Sequence, residues 1–238
     1  MNLILLSASD FIEDGKRGRV RLTGRRLEHV VSVHRARKGD TLRVGLVGGN
    51  VGTGTVTLMR PGRLEMEVKL TEPPPPPLPL TLLLALPRPK TLKKVLIGAT
   101  AMGVKHFVLM RTWRVDKSYF QSPSLRENAV KEQFVLGLEQ GRDTIMPKLE
   151  IRNLFKPFVE DEVPSLVRKT RAFVAHPGAE ADCPRGVKRP VTLAIGPEGG
   201  FVGYELELLA KQGFAPISLG PRPLRVEDAV PALIGRIL

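Results

Sequence analysis

The first 72 residues alternate short apolar runs with glycine-containing breaks, which is the pattern of strands joined by tight turns. The run over residues 63–70 shows this best, because apolar and charged side chains alternate in Leu64-Glu65-Met66-Glu67-Val68, as in a half-exposed strand. Residues 25–35 carry the pattern of a short helix. Three further strands are expected at residues 19–22, 41–47 and 54–59. Together these elements predict a small β-barrel.

Strand and helix patterns alternate after residue 80, and this alternation predicts an α/β fold with a parallel sheet covered by helices on both faces. Residues 92–102 illustrate the helical pattern, with apolar side chains at positions 92, 95, 96, 99 and 102. Apolar runs typical of strands lie at 80–86, 106–110, 172–176, 191–195 and 215–219. Helices are expected at 92–102, 123–140, 202–212 and 226–238.

A run of prolines separates the two patterns, because residues 73–79 read five prolines followed by Leu-Pro. Proline fixes φ, so such a run favours a stiff, extended connector. An alternative use is as a proline-rich ligand for an adaptor domain. We interpret the run as a linker that divides the chain into residues 1–72, 73–79 and 80–238.

Basic residues exceed acidic ones by 37 to 24, which gives a net charge of +13. Such an excess suits a polyanionic partner such as a nucleic acid, the alternative being a protein that is merely basic. The excess is concentrated, since residues 15–43 hold ten basic side chains against Glu28 and Asp40. Nucleic-acid contacts are therefore expected from Arg17, Arg19, Arg21, Arg25 and Arg35.

Several classes of protein are excluded. The lone Cys183 rules out a disulfide framework, and the four histidines show no metal-ligand spacing. No apolar run reaches the roughly 18 residues needed to cross a bilayer, and the amino terminus lacks the segments of a signal peptide. Rossmann, P-loop and nucleophile-elbow motifs are also missing. A cytoplasmic protein with no metal and no membrane partner is expected.

The two most informative stretches are glycine-containing turns that follow apolar strands. Residues 193–201 read Leu-Ala-Ile-Gly-Pro-Glu-Gly-Gly-Phe, and residues 219–225 read Leu-Gly-Pro-Arg-Pro-Leu-Arg. Glycines let a ligand approach the backbone, and open α/β sheets bind ligands beyond the carboxyl ends of their strands. One such turn alone often serves only to connect two elements of secondary structure. Two of them suggest neighbouring loops that wrap one ligand.

These two turns together resemble the signature of the SPOUT methyltransferases. They are similar in particular to the RsmE-type enzymes, which methylate N3 of a uridine in 16S ribosomal RNA. In that family the turns read IGPEGGF and LG-x-R-I-L-R, with an acidic residue soon afterwards. This chain keeps the first motif whole at Ile195 to Phe201. It departs from the family pattern at Pro223, Val226 and Asp228.

The amino-terminal part resembles the PUA-like RNA-binding β-barrel of the same family. The family hallmark reads H-H-x-x-x-V-L-R-x-x-x-G-D, and the match here runs from Glu28-His29 to Arg35 and then to Gly39-Asp40. Glu28 stands where the first histidine would be, and His34 replaces the usual leucine.

The resemblance implies a carboxyl-terminal SPOUT domain whose last segments form a deep trefoil knot, a homodimer, and S-adenosyl-L-methionine as cofactor. Backbone groups of the knot loops would hold the cofactor, and the preceding strand end would form a third wall of its site. The implied cofactor-binding residues are His176, Ile195, Gly196, Gly200, Leu219, Gly220 and Leu224.

Arg225 is the first catalytic candidate, because a guanidinium beside the uracil oxygens would stabilise a developing anion. Glu198 is the second, as a base, as a group that orients Arg225, or as a cap of the helix that begins near residue 202. Trp113 is a candidate for stacking on a base, and the alternative is a core residue. Gln140 and Arg142 lie in a stretch similar to the family's E-Q-S-G-R and are expected at the mouth of the site. The further candidate RNA contacts are Arg111, Arg142 and Arg222.

The leading hypothesis is methylation of uridine N3 in the 16S rRNA of the small ribosomal subunit. A SPOUT RNA methyltransferase with a different nucleotide target would keep both turns equally well. The third hypothesis is a non-catalytic RNA-binding homologue, which the departures at Pro223, Val226 and Asp228 leave open.

Overall fold

The computed structural model describes residues 2–12 and 18–238, so Arg17, one of the predicted RNA contacts, lies outside the described residues. By contact the chain divides into two compact units. One comprises Met1–Pro76 with Val135–Met146, and the other comprises Pro77–Phe134 with Pro147–Leu238. The junction at Pro76 and Pro77 falls inside the proline run. The segment 135–146 groups with the first unit, and the division of the sequence at 72 and 80 stays a prediction about domains.

The first unit contains a curled sheet of five strands in the order β1-β3-β4-β5-β2. Strand β1 pairs parallel with β3, and the other pairs are antiparallel. Within the described residues β1 and β2 are the two edges, so the predicted small barrel is an open half-barrel. The strands are β1 (Ile4–Leu6), β2 (Arg19–Leu22), β3 (Thr41–Leu46), β4 (Val51–Arg60) and β5 (Arg63–Glu72).

A single apolar cluster fills the half-barrel. Leu64, Met66 and Val68 of β5 contribute to it, as the alternation along that strand predicts. The helix α1 (Gly24–Ser32) adds Leu27 and Val30 to the same cluster.

The segment 135–146 belongs to this unit through apolar and polar contacts. Leu138 packs with Leu3, Leu5 and Val51 in a second, smaller cluster. The carbonyl of Thr144 accepts the N–H of Gly48 at 2.8 Å, in the hairpin loop between β3 and β4. This grouping was not predicted, because periodicity describes one helix at a time and not the surface that each half of the helix covers.

The second unit contains a parallel sheet of six strands in the order β11-β9-β10-β6-β7-β8. The predicted parallel α/β sheet is confirmed. The order places the carboxyl ends of β11, β9 and β10 side by side. The strands are β6 (Leu80–Ala85), β7 (His106–Met110), β8 (Lys148–Arg152), β9 (Arg171–Ala175), β10 (Val191–Ile195) and β11 (Ala215–Ile217).

Helices connect these strands. Residues Phe158–Glu162, between α4 and α5, are π-helical. The last helix, α7, packs against α2. The helices are α2 (Pro89–Ala101), α3 (Glu127–Gly141), α4 (Phe155–Pro157), α5 (Val163–Val167), α6 (Gly203–Lys211) and α7 (Val226–Ile237).

Two features of this unit differ from the sequence prediction. The helix expected over residues 123–140 begins at Glu127, because Arg126 has an extended backbone (φ −61°, ψ 140°) that ends a separate 3-10 turn at Pro123–Leu125. Strand β8 and the helical stretch after it were missed, since Lys148–Arg152 is short, charged and half-exposed. The trefoil knot stays a prediction. No helix in the described parts of the chain is long and apolar enough to span a membrane.

Candidate functional site

A cavity lies where β9, β10 and β11 end side by side. It has an empty volume of about 750 Å³, part of which is open to solvent. Each of the three strands runs into a turn that forms one wall, and the last helix closes the site. This is the edge at which open α/β sheets bind ligands. The lining includes Ala175, His176, Ile195, Gly196, Ile217, Leu219 and Leu233.

The first wall is the turn after β10. The N–H of Gly200 donates to the carbonyl of Pro197 at 2.8 Å, and Gly200 has a φ of +72°, which side chains disfavour. A Cβ on Gly196 would lie 3.1 Å from the nitrogen of Phe201 and 3.3 Å from the carbonyl carbon of Gly200. Close backbone contacts at Gly196 and the positive φ at Gly200 both favour glycine, which leaves bare backbone at this wall.

The second wall is the turn after β11, and the buried Ser218 organises it. The Ser218 hydroxyl accepts the N–H of Gly220 at 3.1 Å and lies 3.2 Å from the carbonyl oxygen of the same residue. Gly220 has a φ of +112°, so this turn also depends on glycine. Sequence reasoning missed Ser218, because a serine beside a glycine turn carries no distinctive signal.

The third wall is the chain after β9, which continues alongside the second turn. The backbone N–H of His176 donates to the carbonyl of Ile217 at 3.0 Å. Ser218 then donates to Ala181 at 2.9 Å and accepts from the N–H of Cys183 at 2.7 Å. The loop from 176 to 183 is therefore held against the second turn by main-chain hydrogen bonds.

Helix α7 supplies a fourth wall that the sequence analysis did not assign. Val226, Ala229 and Leu233 line the cavity from one face of this helix. Their spacing of three and four residues is the helical period, so the signal was present in the sequence. In the sequence this spacing predicts a helix, but it does not show which surface the helix faces.

The structure brings all of the predicted cofactor-binding residues to this one cavity. Their contact with a cofactor stays a prediction. Glu198 and Arg222, two residues with charged side chains, are also among the lining residues.

Glu198 does not cap the helix after the turn, so one of its three predicted roles is wrong. Its Oε1 accepts the N–H of Arg88, at the start of α2, at 3.0 Å. The N–H of Val202 before α6 is bound instead by Oε2 of Glu205 at 3.0 Å. Glu205 lies three residues into the helix, the usual place for a carboxylate that reaches back to the cap.

Arg225 is exposed and is not among the residues that line the cavity. It is the N-cap of α7, where its carbonyl accepts the N–H groups of Asp228 at 3.0 Å and Ala229 at 2.8 Å. The positive side chain of Arg225 lies at the amino end of α7, where it interacts unfavourably with the helix dipole. The charge of this side chain therefore does not stabilise the helix. Glu227 follows it, and the pKa of Glu227 is lowered by its own backbone N–H, by Lys94 and by Arg225.

Arg111 and Arg142, the RNA contacts predicted beside the site, are not among the residues that line the cavity. Arg111 follows β7 and donates its N–H to the carbonyl of Arg152 at 2.9 Å. Arg142, like Gln140, belongs to the first unit, whereas the cavity belongs to the second. The expected position of Gln140 and Arg142 at the mouth of the site stays a prediction.

The basic residues of the first unit are partly engaged with buried carboxylates. Arg19 and Arg21 approach the carboxylate of Glu65 at 2.7 and 3.5 Å, and Arg63 binds it too. The Arg63 hydrogen bond is the main reason that the pKa of Glu65 lies below its usual value. Arg25 binds Glu139 at 2.9 Å. Three arginines around one carboxylate leave an excess of positive charge beside Glu65, which the exposed Glu67 opposite Arg19 reduces.

The described residues contain no group of three or more His, Cys, Asp or Glu side chains arranged to hold a metal ion. Cys183 is buried, and burial raises the pKa of its thiol despite the opposing charge of Arg236. A raised pKa disfavours the thiolate that a covalent mechanism would need.

The fold and the cavity define an α/β protein with an open cavity at the carboxyl edge of its parallel sheet. Residues 74–238 match the RNA methyltransferase domain family, and the chain belongs to that family. It is 23% identical to a ribosomal RNA small subunit methyltransferase E 1 of Borreliella burgdorferi, over 96% of this chain and 94% of the relative. It is 28% identical to a ribosomal RNA small subunit methyltransferase E of Synechocystis, over 92% and 72%.

A solved structure shows the same fold. The ribosomal RNA small subunit methyltransferase E of Neisseria gonorrhoeae, bound to S-adenosyl methionine, superposes with a TM-score of 0.72 at 19% identity. The match covers 98% of this chain and 95% of that one. The predicted family and the predicted α/β architecture are confirmed.

Proposed function

We propose that this RNA methyltransferase binds S-adenosyl-L-methionine in the cavity at the carboxyl ends of β9, β10 and β11 and methylates N3 of a uridine in 16S rRNA. The observation that carries the proposal is the convergence of all the predicted cofactor residues on that one cavity. Relatives of similar length carry the name of small-subunit rRNA methyltransferases, and one solved relative holds S-adenosyl methionine.

The chemistry of the lining fits this cofactor. Ile195, Leu219 and Leu233 provide apolar surface for the adenine, and the glycine turns present main-chain N–H and C=O groups that read its edges. The amino-acid part of the cofactor carries an ammonium and a carboxylate. Arg222, which is among the lining residues, carries a guanidinium that would complement the carboxylate.

The bound cofactor supplies an electrophilic methyl group. The chain must then hold the uracil ring in line and favour loss of the proton on N3. Arg225 follows the second turn directly, and its guanidinium would stabilise the negative charge that spreads onto the uracil oxygens. Glu198 would hold the first turn against α2 through the N–H of Arg88, which keeps the cavity wall in place.

The first unit would bind RNA as a PUA-like domain. Its surface around Glu65 carries more positive than negative charge, because Arg19, Arg21 and Arg63 surround that single carboxylate. Such a surface attracts a phosphate backbone. A homodimer in the cytoplasm, where the ribosomal substrate is assembled, completes the proposal.

Calorimetric titration with S-adenosyl-L-methionine tests the binding step. Gly196→Ala should weaken binding by at least about 10-fold, because the added Cβ would press on the backbone of the first turn. Gly203→Ala is the matched control, since a Cβ at that position meets nothing within 4 Å. Failure of the parent protein to bind would overturn the proposal, as would equal binding by both variants.

A further inference from the structure

An exposed tryptophan stands at the corner of a tight turn after β7. The carbonyl of Thr112 accepts the N–H of Val115 at 3.1 Å, which closes a four-residue turn. Thr112 and Val115 are both buried and fix the two ends of the turn, whereas Trp113 is 83% exposed. The indole therefore adds nothing to the core. A large ring held in solvent on a fixed backbone is available for contact with a ligand.

The turn is fastened to the first wall of the cavity by two contacts. Trp113 donates its N–H to Oε1 of Glu205 at 2.6 Å, and Glu205 is only 3% exposed. The second oxygen of the same carboxylate holds Val202, the residue before α6. The Arg114 guanidinium donates to the carbonyl of Gly199, within the turn whose neighbouring residues line the cavity.

Gly199 lacks a side chain where Arg114 lies. A Cβ there would come within 3.0 Å of Arg114 Cδ, so glycine allows the arginine to lie against the turn. The tryptophan and the cavity wall are thus parts of one hydrogen-bonded assembly within the second unit.

The charge around the indole suits a nucleic acid. Arg111, Arg114 and Lys117 lie within four positions of Trp113, against one acidic residue, Asp116. Asp116 is itself engaged, because it accepts the N–H of Ser118 at 2.9 Å and caps the following 3-10 turn. A flat aromatic face flanked by cations is the usual arrangement for stacking on an unpaired base.

We propose that Trp113 stacks on a base of the RNA substrate beside the nucleotide that is methylated, and that Glu205 is the positioning residue that holds it there. The proposal rests on the function proposed above. Stacking tolerates any base, so Trp113 contributes affinity and fixes the strand while the cavity selects the target. A target base in structured RNA must leave its helix, and a stacking platform beside it would stabilise the opened strand.

Trp113 is the single tryptophan of the chain, so its fluorescence reports on this site alone. The native protein, without cofactor, is titrated with small-subunit rRNA that lacks uridine N3 methylation. Stacking should quench the emission by more than about half and lower its accessibility to acrylamide several-fold. RNA binding measured in parallel by filter retention, with emission and accessibility unchanged, would overturn the stacking proposal and leave the proposed function intact. Absence of binding both to this rRNA and to assembled small subunits would overturn both.

A second copy of the chain is the competing occupant of this surface. Emission that shifts with protein concentration in the absence of RNA would show that the indole is covered by a partner subunit, and that result would overturn the proposal. A concentration-independent signal supports it.

Substitutions separate stacking from simple apolar contact. Trp113→Ala should weaken RNA binding by about 10-fold or more. Trp113→Phe keeps a flat ring and should retain most of the affinity, whereas Trp113→Leu keeps apolar bulk without a ring and should behave like Trp113→Ala. Equal binding by the Phe and Leu variants would contradict stacking. Glu205→Gln keeps an oxygen acceptor for only one of the two N–H groups that the carboxylate binds, so it should lower both the quenching and the melting temperature. Reduced quenching measured well below the melting temperature of the variant supports the positioning role, and unchanged quenching there would contradict it.

Discussion

Oε1 of Glu198 lies 3.0 Å from the backbone nitrogen of Arg88, so a residue of the first glycine turn holds the amino end of α2. The contact joins two parts of the second unit that are 110 residues apart in sequence. It gives the acidic residue of the IGPEGGF motif a structural role that does not depend on proton transfer.

Glu198→Gln should therefore retain most of the methyl transfer, because the amide oxygen of glutamine can accept the same N–H. Glu198→Ala removes the acceptor and should weaken cofactor binding several-fold. Rates of transfer and calorimetric affinities for the two variants check this. A Gln variant that binds the cofactor normally and transfers no methyl group would show that Glu198 acts as a base.

Arg225→Ala should lower the rate of methyl transfer by at least about 100-fold, since the group that stabilises the developing anion is lost. Cofactor affinity and melting temperature should stay close to those of the parent, because Arg225 is exposed and is not part of the cavity lining. Arg225→Lys keeps the charge without the planar fork and should recover only part of the rate.

Arg171→Ala is the matched control for Arg225. Arg171 is also exposed, but it begins β9 and so lies at the opposite edge of the same sheet. Its loss should leave the transfer rate unchanged. Near-normal transfer by Arg225→Ala would rule out the catalytic role.

The salt dependence of RNA binding tests the basic surface of the first unit. Replacing Arg21 and Arg35 by Gln should make the slope of log affinity against log salt shallower by about 1 to 2. Arg19 is a poorer choice, because it makes the closer contact with the buried Glu65 and its loss would also affect folding. An unaltered slope would move the RNA-binding surface elsewhere, and Arg171→Gln again serves as the control.

The surroundings of Glu150 predict that the free energy of unfolding depends on pH. Lys148, His106 and Arg152 surround its carboxylate at 2.7–2.8 Å and lower its pKa from 4.5 to about 2. A carboxyl group with a lower pKa in the folded state stabilises the protein above its unfolded pKa. That contribution is lost as the pH falls from about 4.5 to about 2.

Glu150→Gln should thus lower the free energy of unfolding by about 1–3 kcal/mol at pH 7. The difference between variant and parent should shrink as the pH is lowered toward 3. Urea unfolding of both proteins at pH 7, 4 and 3 measures it. A difference that does not change with pH would mean that the loss comes from packing and not from the charge of Glu150.

Most of the second unit could be predicted from the sequence, because its strands are apolar runs and its helices have the helical period. Strand β10, for example, has the same limits in the structure as in the prediction. The position of the cavity could be predicted from the two glycine turns, because glycine at the end of a strand is a local signal in the sequence.

The parts that could not be predicted depend on contacts between distant residues. Ser218 and Glu205 bind residues that are distant in sequence, Ser218 through Ala181 and Cys183 and Glu205 through Trp113. The partners of Arg19 and Arg25 are carboxylates 46 and 114 positions away in sequence. The sequence therefore shows the charge of the two arginines but not the ion pairs that they form. Strand β8 was missed because it is charged and half-exposed and lacks the apolar run of its neighbours.

The most direct test of the central claim is methyl transfer from labelled S-adenosyl-L-methionine to small ribosomal subunits that lack uridine N3 methylation, with mass analysis of the digested nucleosides. The same assay on deproteinised 16S rRNA identifies which form is the substrate. The account predicts one new labelled nucleoside, N3-methyluridine. A different methylated nucleoside would contradict the proposed target, and the absence of any labelled nucleoside from both substrates would contradict the proposed activity.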